Sequence, residues 1–240
     1  CALPILNLDG SLVTTARAKL LVSDYGDVGV GENTTGKAFE VTIADMAKVT
    51  ADELEIGGDR SGNITVDDVQ PEDMVNFNTL IVNAEAGGRN ITFSNTASTF
   101  KELYATADNS IYVDVDLEST VGDLILNADI DNEGWDHQNT LRFHSGAIMT
   151  SERDIVLNAY HNGIYAQGDL TLNADRNVQF DEGGTFSGNL VISADHTQTG
   201  LEGDFILTQG NINAGGNKIT IKADDIDLSG GRFTSANAGL

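Results

Sequence analysis

LTLNAD, residues 170–175, decides the fold, because the same six-residue phrase recurs along the chain. Its copies are LIVNAE at 80–85, LYATAD at 103–108, LILNAD at 124–129, IVLNAY at 155–160, LVISAD at 190–195 and ITIKAD at 219–224. Apolar residues hold the first and third positions of nearly every copy, the two-residue period of a strand with one buried face. A small alanine and then, usually, an acid follow, so each phrase reads as a short strand running into a turn. Aligned on alanines 84, 107, 128, 159, 174, 194 and 223, the copies stand 23, 21, 31, 15, 20 and 29 residues apart. The period is irregular. Weaker versions, LRFHSG at 141–146 and FILTQG at 205–210, fall inside the two longest gaps.

A second set of short strands lies between the copies: ITVD at 64–67, ITFS at 91–94, IYVD at 111–114, VQFD at 178–181 and IDLS at 226–229. Most are introduced by Asn or Asp. Many short strands suit either an antiparallel sandwich or a parallel solenoid. Neighbouring strands of an antiparallel meander run in opposite senses and have no reason to share an ordered phrase. In a solenoid each coil lies on the last in the same direction, so equivalent positions stack and converge. The expectation is an all-β chain forming a right-handed parallel β-helix, or β-solenoid, of roughly ten coils spaced ~4.8 Å apart. Residues 1–240 form a single solenoid in this reading, with 1–38 as less regular coils or a cap and 39–240 as the repeat body.

Composition agrees. The chain of 240 residues is 40% hydrophobic, enough for a real core, and holds 26 glycines but only two prolines. Its 13 basic residues stand against 37 acidic ones, a net charge of −24. No basic cluster occurs, so neither a nucleic acid nor an anionic membrane is an expected partner. No apolar run approaches the ~18 residues of a membrane-spanning helix, so no transmembrane segment is expected. Cys1 is the sole cysteine, which rules out a disulfide within the chain. It reads as a processing boundary, with lipid attachment or an intermolecular disulfide as the alternatives.

Stacking gives the later positions of the phrase particular roles. Asn83, Asn127, Asn158 and Asn173 precede the alanines and would form a side-chain ladder for the turn backbone. The next column is an acidic ladder of Glu85, Asp108, Asp129, Asp175, Asp195 and Asp224, interrupted by Tyr160 and expected to face outward. Stacked carboxylates repel by ~1 kcal/mol in water and more at lower dielectric. The row therefore needs turn hydrogen bonds, splayed side chains or bound cations. One place further on, His161, Arg176 and His196 are positioned to offset some of the charge.

The stretch DIDNEGWD, residues 129–136, imitates the first half of a calcium loop. Asp129, Asp131, Glu133 and Asp136 supply hard oxygen ligands, and Gly134 permits the turn. Thr140 stands where an EF-hand has its bidentate Glu, so calcium would be held in a looser site. Trp135, the only tryptophan, would stack on a sugar ring or pack over a neighbouring coil. No hydrolase or nucleotide-binding signature such as GxSxG, HExxH or GxxxxGK[ST] is present. No catalytic residues are expected, and His137, His144, His161 and His196 are too dispersed to suggest zinc.

The phrases GDLTLNADRNVQF (168–180), GNLVISAD (188–195) and GNINAGGNKITIKADDIDLSGG (210–231) resemble the repeats of filamentous haemagglutinin-like proteins. These and related β-strand-repeat proteins are large exported β-helical adhesins of bacterial surfaces. The resemblance covers the chain from Asn63 onward and is clearest in the last ninety or so residues. It implies an extracellular rod at the bacterial cell surface, without enzymatic activity in its repeats, that displays binding sites or builds a fibre. Expected partners are other copies stacked end to end, or further coils of a longer parent chain, and surface glycans. The alternative is a carbohydrate-active β-helix, a polysaccharide lyase or hydrolase or a carbohydrate-binding module.

Overall fold

Alternating burial in the short phrases is satisfied by three long sheets, seen in a computed structural model that describes residues 8–133, 138–197 and 202–234. The first sheet has nine strands, from Arg17–Leu21 to Ile226–Asp227. The second has ten, with Phe39–Val41 at one edge and Gly231–Thr234 at the other. The third has six, from Ser98–Phe100 to Ile219–Lys222. All pairings are parallel, and from Ser98 onward the chain visits the first, second and third sheets in turn. Each coil therefore lies on the one before it, and the chain is a parallel β-helix whose first sheet counts nine turns.

The core consists of columns along the stacking axis. On the first sheet Leu54, Leu80, Leu103, Leu124, Ile155, Val178 and Phe205 lie in register, all fully buried. Burying each such side chain contributes about 1.5–3 kcal/mol. Aromatic rings fill the later coils, with Phe180 edge-on to Phe205 at 5.5 Å between centroids. Ala84, Ala107, Ala128 and Ala159 form a buried column at the end of the same sheet. Their small size lets the chain leave the strand without overfilling the corner.

The repeated phrases do not share one column. Those beginning at 80, 103, 124 and 155 lie on consecutive coils of the first sheet, whereas those at 170, 190 and 219 lie on the third. The interval of 15 residues is thus a passage from the first sheet to the third within one coil. The second set of strands divides as well. ITVD, ITFS and IYVD belong to the second sheet with LRFHSG, while VQFD and IDLS join FILTQG on the first.

Stacking on the first sheet starts at Arg17, but Phe39–Val41 turns back to pair on the outer side of Val28–Gly31, and helical turns occur in these early coils. The helix Ile43–Met46 is capped reciprocally by Thr42 and Asp45, and it packs on the 3-10 turn Pro71–Met74. Gln70 N donates to Asp73 Oδ2 at 2.8 Å, and Pro71 occupies the first turn, where its missing N–H costs nothing. Met46, Met74 and Phe77 fill the space beneath.

Candidate functional site

Because the phrases divide between sheets, the acidic row divides too. Glu85, Asp108 and Asp129 lie where the first sheet turns toward the second, and Asp175, Asp195 and Asp224 lie where the third turns back to the first. The expectation that these acids face outward is corrected for half of them: Asp108, Asp129 and Asp175 are 4%, 0% and 6% exposed. A buried carboxylate requires donors, and the neighbouring coil provides them. Gly88 N donates to Asp108 Oδ2 at 2.6 Å and Thr197 N to Asp175 Oδ1 at 3.2 Å, and the exposed Asp224 likewise accepts from Gly203 N at 3.1 Å. These acids are clips between coils.

Asp129 is held most closely. Its Oδ2 accepts from His161 N at 3.0 Å and lies 2.7 Å from His161 Nδ1, while Oδ1 has no hydrogen-bond partner among the described residues. Burial pushes its pKa up, against the lowering effect of His161. Asp131 and Glu133 are exposed, and Asp131 Oδ1 accepts from Glu133 N at 3.0 Å. Asp136 and Trp135, the other members of the predicted calcium and sugar sites, lie outside the described residues. Among the described residues no three His, Cys, Asp or Glu side chains come together as metal ligands.

The expected asparagine ladder is also displaced. Among the described residues the buried Oδ1 atoms of Asn127 and Asn158 have no partners, and Asn83 reaches Glu55 Oε1 at 3.3 Å. The real ladder uses residues that introduce the second sheet. Asn63 N donates to Asp27 Oδ1 at 2.9 Å, Asn90 N to Asn63 Oδ1 at 3.1 Å, Ser110 N to Asn90 Oδ1 at 3.1 Å and Thr140 N to Ser110 Oγ at 3.2 Å. A parallel ladder introduces the first sheet, from Asp123 through Asp154 and Asn177 to Asp204, at 3.0–3.2 Å. Arg153 and Arg176 border it, 3.6 Å from Asp123 and 3.8 Å from Asp154. In every rung the later coil donates to the earlier one.

The ladder before the second sheet changes character after Thr140. Register continues it as Gly163, Gly183 and Asn211, so side chains vanish from the corner for two coils. The result is an open groove of about 360 Å³, with walls of His161, Glu182, Thr185, Asn211, Asn213 and Thr234. Through Gly210 and Asn211 it continues into a second hollow of about 420 Å³ that ends at Arg232. Burial raises the pKa of Glu182, and neighbouring Asp181 adds to the effect, while a Gly183 backbone hydrogen bond and His161 oppose it. Sequence reasoning missed this groove. Its signal was DEGGTF at 181–186, where Gly183 stands in place of the hydrogen-bonding residue that opens the earlier strands and Gly184 in place of the first apolar one.

Just before the groove, the outward column of the second sheet reads Tyr112, Arg142, Tyr165, Thr185 and Asn213. The Arg142 guanidinium lies 5.7 Å from the Tyr165 ring centroid. A smaller hollow of about 210 Å³ sits on the first sheet among Arg17, Glu53, Thr79, Ile81, Glu102 and Tyr104. Thr79 Oγ1 donates to Glu102 Oε2 at 2.6 Å, and burial, with nearby Glu102, pushes the Tyr104 hydroxyl up to about 12. Its charged groups are tied to one another. Arg17 pairs with Glu53 and Glu55, and Lys19 pairs with Glu55.

Compared with protein-family models, with curated proteins and with solved structures, the chain matches none.

Proposed function

We propose that this chain is a rod-forming segment of an extracellular structural or adhesive protein of the bacterial cell surface. The observation that carries the reading is the same-sense ladder of side-chain hydrogen bonds joining coil to coil at the corners. Such clips hold an axial stack straight and in register, which suits a spacer that displays or carries binding sites. The edge strands Ile219–Lys222 and Gly231–Thr234 carry half-buried Ile219, Ile221 and Phe233. This edge accepts a further parallel coil, from a longer chain or from a second copy. With a net charge of −24, lateral bundling of rods would require a divalent cation such as calcium.

Negative-stain electron microscopy with light scattering tests the reading. Slender rods that lengthen with concentration are expected, and compact particles of fixed globular shape would overturn it. Loss of lateral bundles on chelation would assign calcium the bridging role, whereas bundles indifferent to chelator would remove calcium from the proposal. The groove on the second sheet favours a second reading, a carbohydrate-active β-helix. Release of reducing ends or unsaturated products from polysaccharides would establish that reading in place of the first.

A further inference from the structure

We infer that the corner groove between the first and second sheets binds an uncharged, extended oligosaccharide lying along the stacking axis. The inference rests on the adhesive reading and gives it a ligand class and a location. It begins with shape. The groove crosses successive coils at residues 161–163, 182–185 and 210–213 and reaches Thr234, with no side chain across its floor at Gly163, Gly183 and Gly184. A Cβ at Gly183 would lie 2.3 Å from both N and O of Asn211, so backbone itself forms the floor. A ligand there meets peptide groups and the polar walls together.

The walls suit hydroxyl groups. Asn211 and Asn213 offer amides that donate and accept, Glu182 offers carboxyl oxygens, and Thr185 offers a hydroxyl. His161 is fixed by Asp129, whose Oδ2 accepts its backbone N–H and lies 2.7 Å from Nδ1. With Nδ1 engaged at Asp129, Nε2 is the ring nitrogen left for a ligand. Sugars present many hydroxyls of both roles, and a wall of mixed donors and acceptors pairs with both. Polyanions are disfavoured by the protein's charge of −24.

Periodicity selects a polymer over a single sugar. Coils advance by ~4.8 Å, close to the advance of one ring in an extended β-linked glycan. Successive coils can therefore meet successive sugars, each with its own polar groups: His161, then Glu182 and Thr185, then Asn211 and Asn213. Among the described residues the groove continues past Asn211 into the second hollow, which lengthens it along the stacking axis.

Calorimetric titration with cellohexaose, with heparin hexasaccharide as the anionic comparison, tests the inference on the whole chain. Cellohexaose is expected to bind, and Asn211→Ala and Glu182→Ala are each expected to weaken it by about tenfold, as for one lost hydrogen bond to an amide or charged group. Glu102→Gln, in the first-sheet hollow, is expected to leave the affinity unchanged. Melting curves for each variant separate loss of binding from loss of fold, and Thr185→Tyr provides a second, space-filling block. Absence of binding, affinity indifferent to the groove variants, or preference for heparin would each overturn the inference. Electron microscopy of the same samples keeps the two readings apart: rods without glycan binding overturn only this inference, and binding without rods overturns only the structural reading.

Discussion

Asn90 shows what a single side chain does in a stacked fold. Its Oδ1 accepts from Ser110 N at 3.1 Å and Asn109 Nδ2 at 2.9 Å, while its own backbone N–H is taken by Asn63. Asn90→Ala would leave these donors in a half-buried corner without a partner, at a cost of about 1–3 kcal/mol in urea unfolding. Asn158→Ala removes an amide oxygen that has no partner, so its cost should stay below about 1 kcal/mol. Equal losses at the two sites would show that the ladder is not the stabilising element. Asn63 and Asn90 also stand in N-x-T contexts, but both side chains are committed to the ladder.

Asp129 connects the residue scale to pH. Its pKa, like those of Glu85 and Glu182, is raised mainly by burial. A carboxyl that binds its proton more tightly folded than unfolded contributes stability at low pH, below the ordinary Asp value of 3.8. That contribution is lost as pH rises through the raised folded value. Glu55 works in the opposite sense: its own burial is outweighed by Lys19 and Arg17, which hold its pKa down. Asp129→Asn keeps an acceptor for His161 and removes the charge. Its melting temperature relative to the native chain should therefore be more favourable at about pH 7 than at about pH 4. The reverse order would show that pairing with His161 outweighs burial.

At the scale of elements, the closeness of coils is the main constraint. Gly183 has no room for a Cβ, because backbone atoms of Asn211 lie 2.3 Å from where it would stand. Gly183→Ala should force the two strands of the second sheet apart and cost about 1–3 kcal/mol, as overpacking does. Gly87 has open space around its missing Cβ and avoids the left-handed region. Gly87→Ala should be neutral or stabilising by up to about 1 kcal/mol. Thermal melts of the pair measure the difference, and similar melting temperatures would contradict the close-packed corner. The strand phrases themselves are interchangeable modules, since the same in-out-in pattern serves the first sheet at 124–128 and the third at 170–174.

For the whole molecule, nine coils at ~4.8 Å make a rod on the order of 40 Å long. Small-angle X-ray scattering of dilute protein should give an elongated distance distribution, and a spherical one would contradict the stack. The charge of −24 makes association dependent on ionic conditions. Raised monovalent salt should promote side-by-side contact by screening, and a divalent cation should do so at lower concentration.

Some of this was legible in the residues alone. The two-residue alternation of LILNAD and its kin determines strands with one buried face, and their shared direction determines parallel stacking, because both are local consequences of side-chain geometry. The small alanine at the corner was legible for the same reason. Which phrases stack on which depended on the tertiary structure. Corner loops differ in length, as in the insertion at 129–140, and only the closed circuit of three sheets tells a full coil from a passage between sheets. That assignment split the acidic row, buried Asp108, Asp129 and Asp175, and moved the working ladder to Asp27, Asn63, Asn90 and Ser110. It also created the groove, whose His161, Glu182 and Asn211 come from three coils. No local pattern joins them, because proximity along a solenoid axis is set by register between coils and not by distance along the chain.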